Sequence, residues 1–169
     1  MNKKLMFSSK SDLWCTPQDL FDSLNKEFNF TFDLCATKKS AKCEKYYTPE
    51  QDALVQNPIS ESIWCNPPYS REVGKWVRKC YEIRLCADVN IVVMLLPART
   101  DTTWFHDYIL GKSEVRFIKG RLKFLNKEDS EKFGNTEKSS PAPFPSMLVI
   151  FGNQPNIFSA NKLGKIIPN

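Results

Sequence analysis

Apolar runs alternate with amphipathic stretches along most of the chain. Residues 90–96 are almost entirely β-branched or aliphatic, which is typical of a central strand that is buried on both faces and parallel to its neighbours. Thr16 and Pro17 predict the start of the first helix, with Thr16 as its N-cap and Pro17 in the first helical position. The other predicted strands are one that starts at residue 30 and ends near Asp33, 62–65, 114–118 and 146–151, and further helices are predicted from near residues 71 and 101.

This alternation of strands and helices favours an open α/β sheet. In such sheets, ligands bind outside the carboxyl ends of the strands. Asp33, the turn at Asn66 and the segment Pro97-Ala98-Arg99 each follow a predicted strand. We therefore expect these three segments, which are distant in sequence, to converge on one edge of the sheet.

The segment Asn66-Pro67-Pro68-Tyr69 carries the most specific chemistry in the chain. Two consecutive prolines fix φ and have no N–H, so the turn is stiff and presents carbonyl groups without competing donors. A side-chain amide oxygen, a proline carbonyl and an aromatic ring are then held close together. The alternative interpretation is an ordinary Pro-Pro turn that caps a strand.

Such a turn suits a planar NH2 group, because two acceptors can take its two hydrogens while the ring stacks on the attached heterocycle or amide. The exocyclic amine of adenine is a poor nucleophile, since its lone pair is delocalised into the ring. Two acceptors would draw the nitrogen towards tetrahedral geometry and stabilise its developing positive charge by roughly 3–4 kcal/mol for one well-placed group. Stacking on Tyr69 would add about 1–3 kcal/mol.

Composition excludes several classes of protein. The 169 residues, 41% hydrophobic and 25% charged, are typical of one soluble globular domain. No apolar run approaches the ~20 residues of a membrane span, and the first residues lack the apolar region of a signal peptide. The six cysteines form no CxxC pair or cluster with the single histidine, so we predict reduced thiols and no metal, and assign His106 no role.

The chain divides into three predicted parts. We expect an N-terminal arm over residues 1–13, a single domain over 14–152 and a C-terminal tail over 153–169. Within the domain, residues 126–143 are charged and contain serine and proline, which predicts a surface loop.

The net charge of +5 allows a polyanionic partner without requiring one. Between residues 112 and 127, six lysines or arginines are opposed only by Glu114 and are interleaved with Phe117 and Phe124. Cations alternating with rings suit a surface that follows a nucleic-acid backbone. The alternatives are a solvated face for the cations and core positions for the two phenylalanines.

With these residues in view, the chain resembles the small phage-encoded DNA N6-adenine methyltransferases, often called the phage Dam type. The resemblance covers roughly residues 12–152 and depends on the order and spacing of several short motifs. These are Trp14-Cys15-Thr16-Pro17, Phe32-Asp33-Leu34-Cys35-Ala36, Cys65-Asn66-Pro67-Pro68-Tyr69-Ser70, Leu96-Pro97-Ala98-Arg99-Thr100, Gly120-Arg121-Leu122-Lys123-Phe124 and Ala142-Pro143-Phe144-Pro145-Ser146.

The resemblance implies a Rossmann-like class I methyltransferase fold, with a mixed, mostly parallel sheet flanked by helices, that binds S-adenosylmethionine. It implies a site-specific, adenine-specific DNA methyltransferase in the cytoplasm, that of the bacterial host if the chain is phage-encoded. The implied cofactor-binding residues are Trp14, Thr16, Pro17, Asp33, Cys35, Ala36, Asp52 and Asn66. The implied catalytic residues are Asn66, Pro67, Pro68 and Tyr69, and the implied DNA contacts are Ser70, Arg99, Arg121, Lys123 and Phe124.

The chain departs from the family pattern at two places, and two alternative functions stay open. The usual Gly-rich turn after the first strand is replaced by Cys35-Ala36-Thr37-Lys38, and the acid that would hold the ribose is not identified, with Glu44 as a candidate. The same proline turn would serve a methyltransferase of protein glutamine or of an RNA base amine. A catalytically silent DNA-binding module is the other alternative. The sequence leaves the oligomeric state undetermined, and GATC as the target follows only from similar phage enzymes.

Overall fold

The computed structural model describes residues 14–124 and 140–152. In that part of the chain, three helices lie at Gln18–Phe28 (α1), Val73–Ile83 (α2) and Thr103–Tyr108 (α3). The strands are Phe32–Asp33 (β1), Lys45–Tyr46 (β2), Ser62–Cys65 (β3), Ile91–Pro97 (β4), Glu114–Phe117 (β5), Lys123–Phe124 (β6), Ser140–Pro141 (β7) and Ser146–Gly152 (β8).

Six strands form one mixed sheet in the order β2-β1-β3-β4-β8-β5. The pairs β1–β2, β1–β3 and β3–β4 are parallel, whereas β4–β8 and β5–β8 are antiparallel. The α/β class is confirmed, but the expected mostly parallel sheet is wrong, because eleven of the nineteen paired positions in these strands are antiparallel. Both antiparallel pairs involve β8, which lies between β4 and β5. The apolar run of β8 fits a parallel or an antiparallel strand equally well, so the sequence did not indicate its direction.

Strand β4 lies at the centre of the sheet and separates two apolar layers. Val92, Met94 and Leu96 pack with α2 and α3, while Val93 and Leu95 pack on the opposite face with α1. Because successive side chains of a strand point to opposite faces, a strand covered on both sides has no polar positions. The continuous apolar run at 90–96 is explained by this double burial.

The start of α1 differs from the prediction. The helix begins at Gln18, Pro17 occupies the capping position, and no side chain caps the first turn. The Pro17 carbonyl accepts the first helical hydrogen bond, from the Phe21 N–H at 3.1 Å. Thr16 is therefore not an N-cap. Its hydroxyl oxygen instead accepts a hydrogen bond from the Asn66 side chain, which is described below.

Other boundaries agree with the sequence prediction to within a few residues. The β6–β7 hairpin, which pairs Lys123 with Pro141, was not predicted, because two-residue strands carry no periodicity. The predicted arm 1–13, the tail 153–169 and residues 126–139 of the predicted loop lie outside the described residues, and the loop prediction is wrong at Ser140–Pro141, which forms β7. None of the helices in the described segments is long and apolar enough to cross a membrane.

Candidate active site

A cleft of about 640 Å³, open solvent included, lies where β1 and β3 end. The two strands are parallel, so Asp33 and the turn after Cys65 lie at the same edge of the sheet, as predicted. The residues that line the cleft are Trp14, Cys15, Thr16, Asp33, Cys35, Ala36, Thr37, Ser40, Lys42, Pro49, Trp64, Asn66, Pro67 and Pro68.

Asn66 is held in place by its amide nitrogen. The NH2 group donates to the Trp14 carbonyl oxygen at 2.5 Å and to Thr16 Oγ1 at 3.0 Å. A backbone carbonyl can only accept, so the nitrogen, and not the oxygen, must face Trp14. Asn66 Oδ1 is thereby turned away; it is buried and has no hydrogen-bond partner within the described segments.

The unpaired Asn66 oxygen is energetically unfavourable in the structure as it stands. An unsatisfied buried acceptor costs about 1–3 kcal/mol, and native proteins contain few of them. Pro67 and Pro68, which also line the cleft, have no N–H that could satisfy it. The arrangement is prepared to accept a hydrogen bond from a donor that enters the cleft.

Tyr69 lies beneath the turn and not on an open surface. Its ring is buried, and its hydroxyl donates to the Leu95 carbonyl at 3.2 Å. The Phe144 ring lies at 5.4 Å and 80° and the Phe124 ring at 6.2 Å and 79°, centroid to centroid. Trp14 contacts both phenylalanines. A base can stack on Tyr69 only after at least one of these rings moves.

Asp33 is a buried carboxylate at the end of β1. It accepts hydrogen bonds from the Cys35 N–H at 3.2 Å and the Lys42 N–H at 3.0 Å. Burial raises the pKa of Asp33 to about 7, which outweighs the opposite effects of these two N–H groups and of the Lys42 ammonium. A carboxylate with this pKa gains most from a ligand that brings a positive charge.

The turn after β1 is built differently from a glycine-rich turn. The Thr37 N–H donates to Ser40 Oγ at 2.9 Å, and the Ser40 N–H donates to the Thr37 carbonyl at 3.0 Å. Side-chain hydroxyl groups therefore stabilise this turn by hydrogen bonds to the backbone, and the turn contains no glycine. Cys35 and Ala36 line the cleft next to it, and burial raises the pKa of the Cys35 thiol well above its ordinary value.

The structure brings eight of the predicted site residues to the cleft, where most of the predicted cofactor-binding residues meet the segment that starts at Asn66. Sequence reasoning missed six others of the lining. A strand end followed by a polar turn could have indicated Thr37, Ser40 and Lys42, whereas Pro49 and Trp64 carry no such signal. The eight predicted residues are Trp14, Thr16, Asp33, Cys35, Ala36, Asn66, Pro67 and Pro68, and the sixth missed residue is Cys15.

The remaining predicted residues do not line the cleft. Asp52 is exposed on a turn with φ of 52°, and Phe124 is buried against Trp14, with the two ring centroids 5.2 Å apart. Arg99, Arg121 and Lys123 are exposed, which leaves them accessible to a large ligand. Tyr69 is buried as described, Pro17 and Ser70 are half-buried, and Glu44 is exposed.

Residues 4–162 match the family model described as DNA N-6-adenine-methyltransferase (Dam). The chain is 29% identical over 146 residues to the DNA N-6-adenine-methyltransferase of Escherichia phage T1, a match that covers 76% of this chain and 60% of that protein. It is 35% identical over 65 residues to "Putative methyltransferase YfdM" of Escherichia coli (strain K12), covering 34% of this chain and 71% of that protein. The chain thus spans about three fifths of the length of the phage T1 relative.

Proposed function

Because the chain belongs to the DNA N-6-adenine-methyltransferase (Dam) family, we propose that it transfers a methyl group from S-adenosylmethionine to N6 of adenine in DNA. The observation that carries this proposal is the buried, unpaired Asn66 Oδ1 in the Asn66-Pro67-Pro68-Tyr69 turn. A buried acceptor without a partner, held beside two prolines, is what an incoming NH2 group requires.

Asn66 is the proposed anchor for the amine. Its oxygen accepts one N–H of the adenine amino group, and a carbonyl of the proline turn accepts the other. Both acceptors gain strength as the nitrogen acquires positive charge, so they stabilise the transition state more than the ground state. The bonds to Trp14 and Thr16 fix Asn66 beforehand, so little reorganisation is needed.

The cofactor is proposed to occupy the cleft. When bound, S-adenosylmethionine supplies an electrophilic methyl group and an amino-acid end with one ammonium and one carboxylate. Asp33 suits the ammonium, because burial leaves its carboxylate without a full counter-charge. Trp14, Thr16, Cys35 and Ala36 surround the same space, and Pro17 and Asp52 are proposed contacts at its margin. The helix-covered sheet, with its site at the carboxyl ends of parallel strands, supports a Rossmann-like class I fold.

DNA is proposed to bind across the exposed cations. Arg99, Arg121 and Lys123 would contact phosphates, and Ser70 lies next to the catalytic turn. Since adenine in a duplex is stacked, the base must be extruded to reach Asn66. Tyr69 and Phe124 are the proposed stacking partners, after the rearrangement of rings that the structure requires.

The test uses purified protein, methyl-labelled S-adenosylmethionine and three acceptors: unmethylated duplex DNA, RNA and a protein extract. We expect label only in DNA, and only as N6-methyladenine after digestion to nucleosides. Duplexes with and without GATC test the target sequence separately. Label confined to RNA or to glutamine in protein would overturn the DNA assignment, and DNA binding without any transfer would identify a silent binding module.

A further inference from the structure

We infer that Ser146 makes a second contact with the target adenine: its hydroxyl donates a hydrogen bond to N1 or N7, the acceptor nitrogens on either side of the amino group. This inference rests on the proposed function and gives a role to a residue that the resemblance left without one. The site would then recognise the ring of the base as well as its amine.

The first support is that the Ser146 hydroxyl is buried without a partner. The residue is 1% exposed, and its Oγ has no hydrogen-bond partner within residues 14–124 and 140–152. Two other buried serines are satisfied: Ser62 Oγ donates to the Phe28 carbonyl at 2.7 Å, and Ser113 Oγ donates to the Ile109 carbonyl at 3.1 Å. Because native proteins contain few unsatisfied buried polar groups, an unpaired hydroxyl in this position points to a ligand.

The second support is that Ser146 and Asn66 lie on the same face of the sheet. Ser146 precedes Leu148 by two positions in β8, and Leu148 packs on the face that α1 covers. Asn66 follows Trp64 of β3 by two positions, and Trp64 packs on that face as well. Successive side chains of an extended chain alternate between the two faces, and a residue before proline is extended, so both side chains lie on the α1 side.

The third support is the spacing of the two residues across the sheet. Strand β4 separates β3 from β8, so Asn66 and Ser146 lie two strand spacings apart, about 10 Å. Ser146 pairs with Pro97, the last residue of β4, which places it at the same edge of the sheet as the proline turn. Tyr69 lies over β4 between them, because its hydroxyl donates to the Leu95 carbonyl. An adenine stacked there with its amine at Asn66 would present a neighbouring ring nitrogen towards Ser146.

Phe144 is the ring whose movement would open this position. It precedes Ser146 by two residues, and its ring contacts Tyr69 on the α1 side of the sheet. Phe144 is only half-buried, whereas Phe124, the other ring against Tyr69, is 2% exposed. Displacing Phe144 therefore sacrifices less packing, and it would free the Tyr69 ring and the Ser146 hydroxyl together.

The test is a cycle that combines Ser146→Ala with changes in the base. Single-turnover methyl transfer is measured on a substrate duplex whose target adenine is intact or is replaced by 1-deazaadenine or 7-deazaadenine, in which a CH group replaces one ring nitrogen. We expect Ser146→Ala to slow transfer to adenine by about five- to tenfold, the weight of one hydrogen bond, and to have no effect on one of the two analogues. The intrinsic effect of each analogue on the amine is the same for both proteins, so it cancels in the comparison.

Ser62→Ala is the matched control, because Ser62 is a buried serine at the opposite end of the sheet, where it pairs with the first residue of β4. It should leave transfer to all three duplexes unchanged. Urea denaturation supplies a second readout: Ser62→Ala should unfold at lower urea, since its hydroxyl bond is lost, whereas Ser146→Ala should not.

Three results would each overturn the inference: an unchanged rate of Ser146→Ala on adenine, an equal slowing on adenine and both analogues, or a lower urea midpoint of Ser146→Ala, which would mean that the hydroxyl is already bonded in the free protein. If the unaltered protein transfers no methyl group to adenine in any duplex, the proposed function itself fails.

Discussion

Asn66 Nδ2 donates to Thr16 Oγ1 at 3.0 Å, a contact between two residues fifty positions apart in the chain. Together with the bond to the Trp14 carbonyl, it fixes the orientation of the Asn66 amide. The N-terminal segment before α1 thus sets the orientation of the side chain that follows β3. The proposed acceptor for the amine depends on this long-range contact and not on the proline turn alone.

Thr16→Val tests that dependence. Valine keeps the shape of threonine but has no hydroxyl, so one of the two bonds that orient Asn66 is lost. We expect the methyl-transfer step to slow by about five- to tenfold, which corresponds to a hydrogen bond of about 1 kcal/mol. Single-turnover transfer to duplex DNA measures this step. Thr31→Val, which alters an exposed hydroxyl bonded to Ser60 and Ser62, should leave the rate unchanged, and an unchanged rate in Thr16→Val would contradict the role of Thr16.

Asp33 makes cofactor binding dependent on pH. Only its ionised form attracts the α-ammonium of the ligand, and burial places its pKa at about 7. Lowering the pH from about 7.5 to about 6 should therefore weaken binding of S-adenosylhomocysteine by roughly tenfold, while the ligand amine, with an ordinary pKa near 8, stays charged.

Calorimetry at the two pH values measures this effect. Asp33→Asn should bind weakly at both pH values and show no such change. If the unaltered protein binds equally well at both, or more tightly at the lower pH, the ionised Asp33 carboxylate is not the ammonium ligand.

The exposed cations Arg121 and Lys123 should govern the salt dependence of DNA binding. If each neutralises one phosphate, replacing both by glutamine reduces the slope of log affinity against log salt by about 2. Fluorescence anisotropy of a labelled duplex over a range of salt concentrations provides the slope. Lys26→Gln, near the end of α1, is the control and should change nothing. A weaker affinity with an unaltered slope would argue against phosphate contacts.

Arg116 joins α1 to β5 through a largely buried ion network. Its guanidinium donates to both carboxylate oxygens of Glu27 at 2.8 Å and to Glu114 at 2.7 Å, and lies 5.3 Å from the centre of the Phe28 ring. Arg116→Met removes these charged hydrogen bonds. The Glu114 side chain is mostly buried, whereas that of Glu27 is 42% exposed, so we expect the free energy of unfolding to fall by about 2 kcal/mol.

Urea denaturation measures this loss. Adding Glu27→Gln and Glu114→Gln to Arg116→Met should recover part of it, because the two side chains that bonded to the guanidinium are then neutral. A single variant as stable as the unaltered protein would show that the network does not stabilise the fold.

The sequence predicted best what depends on strong local signals. The run at 90–96 indicated a central strand, which is present where expected, and the prolines after Asn66 follow β3 and line the cleft. The meeting of Asp33 with Asn66 followed from a general rule about parallel strands. These features need no knowledge of side-chain packing.

What the sequence could not predict depends on contacts between distant segments. Thr16 has the residue type and position of an N-cap, yet its hydroxyl bonds to Asn66 because the chain passes over the cleft. Lys42 lines the cleft after the turn at 37–40, where the Thr37 N–H donates to the Ser40 hydroxyl, and its own N–H donates to Asp33. The direction of β8 is likewise set by its neighbours in the sheet, since its apolar run fits either orientation.

The most direct measurement compares methyl transfer and cofactor binding in Asn66→Ala. We predict that transfer to adenine N6 in a single turnover falls by about a hundredfold or more, while the affinity for S-adenosylhomocysteine stays within about threefold, because the lost oxygen acts mainly on the charged transition state. Asn57→Ala, which alters an exposed amide bonded to Lys79, should leave both quantities unchanged. Methyl transfer by Asn66→Ala at the rate of the unaltered protein would contradict the proposed role of Asn66 as the acceptor for the adenine amino group.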